Sequence, residues 1–184
     1  MNTSKKIRVI AALGTLSGAV WAGTFATFTD SATSTSTFSS GTVNMELNDD
    51  TTDAYTFASL STSNMKPGDV KYATLKVENA GSIASTYTMT SAESEAVLSG
   101  QLQLGAVVGA ATCDAVGYAA AVTGVTGIVI ANGSLASAAI STARPLAAAA
   151  SELLCFKVEL PSASGDTFQG LTTTSTFTFS LTQA

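Results

Sequence analysis

The chain has no histidine in its 184 residues. That excludes the Ser-His-Asp and Cys-His arrangements, whose general base is an imidazole. It also excludes the HExxH helix, in which two histidines hold zinc beside a glutamate base. Charge is sparse, at 11% of residues, and cations are the scarcer sign. After residue 26 only Lys66, Lys71, Lys76, Arg144 and Lys157 remain, five cations against all 13 acids, a net charge of −8. So few cations offer no basic patch to release counterions, and nucleic acid is not an expected partner. Nor is there a phosphate-binding loop: Gly124-Val125-Thr126-Gly127 has no adjacent lysine and no strand–helix setting. Composition alone leaves a Ser-Lys pair open, but no spacing among the five cations singles one out. No catalytic residue and no cofactor is expected.

What is present begins with an export signal. Lys5, Lys6 and Arg8 form a cationic start, Val9 to Ala22 carries no charge, and the small residues of Gly23-Thr24-Phe25-Ala26 follow. A positive end, a short apolar core and small side chains at −3 and −1 are the features that a signal peptidase reads. Cleavage after Ala26 places Thr24 at −3 and makes Thr27 the new N-terminus. The alternative is a retained anchor, because the uncharged stretch Val9 to Thr29 spans 21 residues, enough to cross a bilayer on length. Its second half is rich in Gly, Thr and Ser, and its flank is Asp30 where a stop-transfer segment would be basic. Removal is therefore expected, with no stable membrane span afterwards. At the other end there is no LPxTG-like sorting motif and no apolar tail, so anchoring there is not expected either.

The expected organisation is a signal peptide over 1–26, an extended segment over 27–41 and one β domain over 42–184. Period-two alternation is the main signal. It runs through Val43 to Leu47, Tyr55 to Leu60, Val70 to Val77, Tyr87 to Thr90, Leu102 to Leu104, Leu154 to Leu160 and Thr174 to Thr182, while Ile128 to Ile130 reads as a buried run. Lys66-Pro67-Gly68-Asp69 carries Pro and Gly where a type II turn needs them. Asn79 to Ser82, Asn132-Gly133 and Ser164 to Asp166 read as further turns. Short strands with regular turns point to an antiparallel sandwich. Helix is minor: one turn near Glu93 to Leu98, and a short helix begun by Pro145 over the following Ala-rich stretch. Phe57, Phe156, Phe168, Phe177 and Phe179 are expected in the core.

Cys113 and Cys155 are the only cysteines. In an exported chain an even pair most simply forms one disulfide, the alternative being two buried thiols. Asp49, Asp50 and Asp53 are the one candidate metal cluster, for Ca²⁺, weighed against a solvated acidic turn that lacks the glycine and distal glutamate of an EF-hand. The Glu93 and Glu95 pair reads the same bland way. Thr27 to Gly41 is nearly all Thr, Ser and Ala, with Phe28 and Phe38 its large apolar residues. It has strand propensity but little to bury alone. Fully extended, about 14 residues reach roughly 46–50 Å, far enough to meet a neighbour.

Several of these segments resemble the TasA/camelysin family. The junction Ala22 to Asp30 resembles the family's signal-peptide end, which a SipW-type peptidase processes. Thr37-Phe38-Ser39-Ser40-Gly41-Thr42-Val43-Asn44-Met45 resembles its TFxxGTLDL segment, with Val43 for Leu and Asn44 for Asp. Met65 to Asp69 matches its KPGD turn, and Leu75 to Ser82 is similar to its lxNxGs strand and turn. Cys155 to Pro161, Phe168-Gln169-Gly170 and Phe177 to Gln183 resemble its C-terminal strands, whereas residues 98–150 carry little of the likeness. The resemblance implies a secreted, jelly-roll-like β-sandwich with one or two short helices. It also implies a fibre subunit of a biofilm matrix at the cell surface, joined by donor-strand exchange. In that reading Thr27, Phe28, Thr29, Asp30 and Phe38 form the donor strand, and the partner is a second copy or a paralogous fibre subunit. The competing readings are a segment that pairs within its own domain, a flexible tail, a monomeric accessory module and a camelysin-type metalloprotease.

Overall fold

The computed structural model describes residues 36–37, 39–52, 55–124 and 127–184. Eight strands make two antiparallel sheets. They are β1 (Met45–Leu47), β2 (Val70–Asn79), β3 (Ser85–Glu93), β4 (Gln103–Val108), β5 (Ile128–Ser134), β6 (Ala139–Leu146), β7 (Ser151–Glu159) and β8 (Ser175–Gln183). One sheet has the order β1-β2-β7-β4-β5 and the other the order β6-β3-β8. Two short helices, α1 (Ala96–Gln101) and α2 (Ala115–Thr123), complete the fold. This is the expected all-β sandwich.

The pairings follow a pattern. β4 pairs β5, β3 pairs β6 and β2 pairs β7, all antiparallel, nested like a long hairpin rolled on itself. The next pair in a jelly roll of this kind is β1 with β8. Here β1 lies on the outer edge of β2, with Met45 opposite Asn79. The second edge of β8 has no strand beside it among the described residues.

Alternation places the core. Ala73, Leu75 and Val77 of β2 and Leu154, Phe156 and Val158 of β7 point inward from the larger sheet. Tyr87 and Met89 of β3 meet them from the smaller one. Phe156 packs edge-on to Phe57 and lies 5.9 Å, centroid to centroid, from Phe177. The KPGD turn forms as its residues dictate: Gly68 has φ +94°, and the Asp69 N–H donates to the Lys66 carbonyl at 2.9 Å.

On the outer face of the larger sheet Cys155 is joined to Cys113, with S–S 2.01 Å and Cα–Cα 5.3 Å. The bridge holds α2 over β4 and β7. Asp114 caps that helix by accepting from the N–H groups of Val116 and Gly117, at 3.0 and 2.8 Å. Tyr118 then lies over Gly105, where a Cβ would fall 2.2 Å from its hydroxyl.

Four expectations are corrected. Tyr55 to Leu60 is an irregular covering loop with no ladder, although Phe57 and Leu60 still pack on the core. Pro145 starts no helix: it sits in β6, an edge strand, where its missing N–H costs little, and the residues from Ser151 onward belong to β7. Asn132-Gly133 is no turn but part of β5, beside a register break against β4. Ile128 to Ile130 is not a buried run: β5 is an edge, Ile130 is buried and Ile128 is 40% exposed.

Candidate functional site

The residues expected to act at the N-terminus, Ala26, Thr27, Phe28, Thr29, Asp30 and Phe38, lie outside the described residues, as does Asp53. Asp49 and Asp50 are described, and each has a local partner. Asn48 and Asp49 both have positive φ, 52° and 61°, in a tight turn closed by the Asp50 N–H on the Leu47 carbonyl at 3.0 Å. The Asp49 carboxylate pairs with Lys76, which lowers its pKa. That of Asp50 accepts from the Thr52 N–H and hydroxyl at 2.9 and 2.7 Å, and its pKa falls for that reason. Among the described residues no three His, Cys, Asp or Glu side chains come together as metal ligands would. Glu95 is more than a solvated acid, since it caps α1 by accepting from the N–H groups of Val97 and Leu98, both at 2.7 Å. The cue was present in the sequence, an acceptor side chain just ahead of a short helical run.

A polar cluster ties the two sheets. Tyr87 on β3 is fully buried and donates its hydroxyl to Glu152 on β7. Arg144 on β6 donates to the same carboxylate, its Nε 2.9 Å from Oε2. Burial pushes the tyrosine pKa up, and the adjacent carboxylate adds to that. Burial alone would raise Glu152, but Arg144 and Tyr87 outweigh it and the net shift is downward. The sequence did not signal this cluster, because its members lie on three strands.

The four sheet edges differ in kind. β1 is three residues long and ends in the tight turn. β5 carries two register breaks against β4. β6 carries Pro145 and a register break between Tyr87 and Met89. β8 pairs with β3 through nine consecutive positions, Glu93 with Ser175 to Ser85 with Gln183, without a break. Its sequence, STFTFSLTQ, has no charge and no proline. Short strands, bulges, prolines and charges are the devices that stop an edge from recruiting another strand, and β8 has none of them. Beside it lies a cleft of about 790 Å³. Its lining includes Phe177 and Phe179 of β8 with Leu47, Tyr55, Phe57 and Met65, along with polar residues such as Asn64 and Thr172.

The sequence model of the camelysin metallo-endopeptidase family matches residues 3–101, more than half of the chain. The chain belongs to the camelysin family. The match takes in residues 22–30, where an export junction is expected, the KPGD turn and β1 to α1, and ends before β4. Among curated proteins none matches. The family description implies a metal, and the donors present do not fit a protease zinc site. This camelysin-family chain has no histidine, both its cysteine sulfurs are held in one disulfide, and its described acids do not converge. No helix among the described residues is long and apolar enough to cross a membrane.

Proposed function

We propose that this chain is a secreted structural subunit of an extracellular fibre or biofilm matrix, and that it performs no catalysis. Subunits join when the extended N-terminal segment of one, starting at Thr27 once the signal is cleaved after Ala26, adds as a strand to the next. The observation that supports this reading is the β8 edge, nine residues long, uncharged, unbroken in register and set beside a cleft lined by both apolar and polar side chains. Such an edge offers a row of N–H and C=O groups, and an extended segment satisfies them by β-augmentation. Cleavage is the switch, since the donor is free only after export. The partner is a second copy or a paralogous subunit, with the signal peptidase acting during export.

Negative-stain microscopy of the secreted protein at micromolar concentration tests the reading, with filaments as the expected result. Deleting Thr27 to Ser40 leaves a folded domain that does not elongate; filaments that still grow after that deletion contradict the donor role. A protein that stays monomeric yet binds and caps filaments of a paralogue would be an accessory module instead. The family's description favours proteolysis as a second reading. It requires cleavage of casein that chelators abolish and that persists through exhaustive purification.

A further inference from the structure

We infer that the outer face of the larger sheet carries a binding site for a neutral oligosaccharide, on the shelf beside α2 where β7, β4 and β5 meet. Such a site serves a monomer and a fibre alike, so it does not depend on the subunit reading above.

Three irregularities converge on one spot of that face. The first is a bulge in β5. Gly133 pairs with Leu104 and Ile130 with Ala106, so Ala131 and Asn132 together stand opposite Gly105. A bulge re-aims a side chain. Here it brings Asn132 to the outer face, where its Nδ2 donates to Gln103 Oε1 at 2.6 Å. The second is Gly105 itself, since a glycine inside a strand marks the close approach of another group. A Cβ there would lie 2.2 Å from the Tyr118 hydroxyl and 3.4 Å from Asn132 Oδ1. The third is the disulfide from Cys113 to Cys155, which holds α2, and with it Tyr118, against this part of the sheet. Together they bring a phenol hydroxyl and two side-chain amides to one place.

The register supplies the rest. Lys157 lies opposite Tyr72 on one side and Gly105 on the other, and Glu159 lies opposite Gln103. Lys157 Nζ pairs with Glu159 at 2.5 Å and sits 5.8 Å from the centre of the Tyr118 ring. The Tyr72 ring stands 5.8 Å from that of Tyr118, tilted by 57°. Tyr118 is buried, whereas Tyr72, Lys157, Glu159 and Gln103 are half-buried and Asn132 is exposed. Tyr118, with Tyr72 against it, stands over one row of the sheet, and Glu159 and Gln103 lie in the next. From β2 to β5 the group crosses three strand gaps, roughly 14 Å.

This is the chemistry that a sugar needs. Each amide presents a donor beside an acceptor, the carboxylate accepts and the ammonium donates, which suits neighbouring hydroxyls on a pyranose ring. A tyrosine offers that ring an apolar surface with a polar tip. The charges select among ligand classes. Lys157 and Glu159 neutralise each other within the site, and the chain after residue 26 has a net charge of −8. An acidic glycan therefore meets no free cation here, and one paired lysine is too few for nucleic acid.

Saturation-transfer NMR of the secreted full chain reads the ligand class. The probes are neutral oligosaccharides of the glucan, mannan, galactan and N-acetylglucosamine series, with an oligouronate as the acidic probe. Signal is expected from at least one neutral series and none from the oligouronate. Titration calorimetry then compares the unmodified protein with the double variant Gln103→Ala, Asn132→Ala, whose unfolding temperature should stay the same because neither side chain is in the core. Removing both amides should weaken binding roughly tenfold or more. Signal from no neutral series, or from the oligouronate alone, overturns the inference. Unchanged affinity in the double variant overturns this site. The double variant should assemble as the unmodified protein does, so a failure here leaves the subunit reading standing.

Discussion

The two sheets are built to different ends. In the larger one β7 is paired along its length by β2 on one side and over Leu154–Glu159 by β4 on the other, and α2 is locked over the outer face by Cys113–Cys155. The smaller sheet has three strands, one edge interrupted by a register break and Pro145, the other left continuous in β8. The larger sheet is the one that is braced, and in the smaller sheet β8 has no second partner strand among the described residues. The contrast is between a sheet held by a covalent brace and a sheet whose β8 edge lacks the β1 partner that jelly-roll pairing would give it.

The largest expected effect on stability comes from the brace. Replacing both Cys113 and Cys155 by serine should cost about 4 kcal/mol, because the bridge closes a long loop in the unfolded chain. Urea denaturation measures it, and the β8 edge should still accept a strand in whatever fraction stays folded.

Next is the tie between the sheets. Arg144→Leu leaves the Glu152 carboxylate, 22% exposed, without its cation. The expected loss is about 2 kcal/mol, below that of a fully buried pair because solvent reaches part of it. The same cluster sets an acid dependence. The pKa of Glu152 is lowered by folding, so its contribution is present above the ordinary glutamate range and is lost as pH falls through its folded value. Thermal unfolding followed from pH ~6 to ~3 should show a decline that Glu152→Gln flattens.

The smallest effect on stability and the sharpest on assembly comes from Thr178→Lys. Thr178 is exposed on β8. The change should alter stability by no more than about 0.5 kcal/mol. It places an edge lysine where none exists, and light scattering should show slower elongation or none. The matching change on the blunted edge, Thr142→Lys at an exposed position of β6, should leave elongation unaltered.

Much of this contrast was legible in the sequence. Strict alternation in VKYATLKV, LCFKVEL and TFTFSLT marked β2, β7 and β8, because each buries one face. The KPGD turn was readable because Pro67 and Gly68 meet a local steric requirement. The pairing of Cys113 with Cys155 followed from their being the only cysteines. Elements whose reason is tertiary were not readable. β6 has no apolar period, being exposed along one edge, and its Pro145 imitated a helix start. α2 owes its place to the disulfide and to the space over Gly105 more than to any apolar stripe. Tyr55 and Phe57 alternate like a strand because they line one side of a cleft, yet no partner backbone lies alongside. The β8 edge itself was invisible, since it depends on which of the described strands β8 fails to meet.

Hydrogen exchange of backbone amides before and after assembly tests the central claim most directly. The account predicts that amides of Ser175–Gln183 which exchange freely in the monomer become protected in filaments, while those of Ala139–Leu146 on the other edge of the same sheet keep their monomer rates. Filaments in which the β8 amides exchange as before, or in which protection appears along β6 instead, would contradict it.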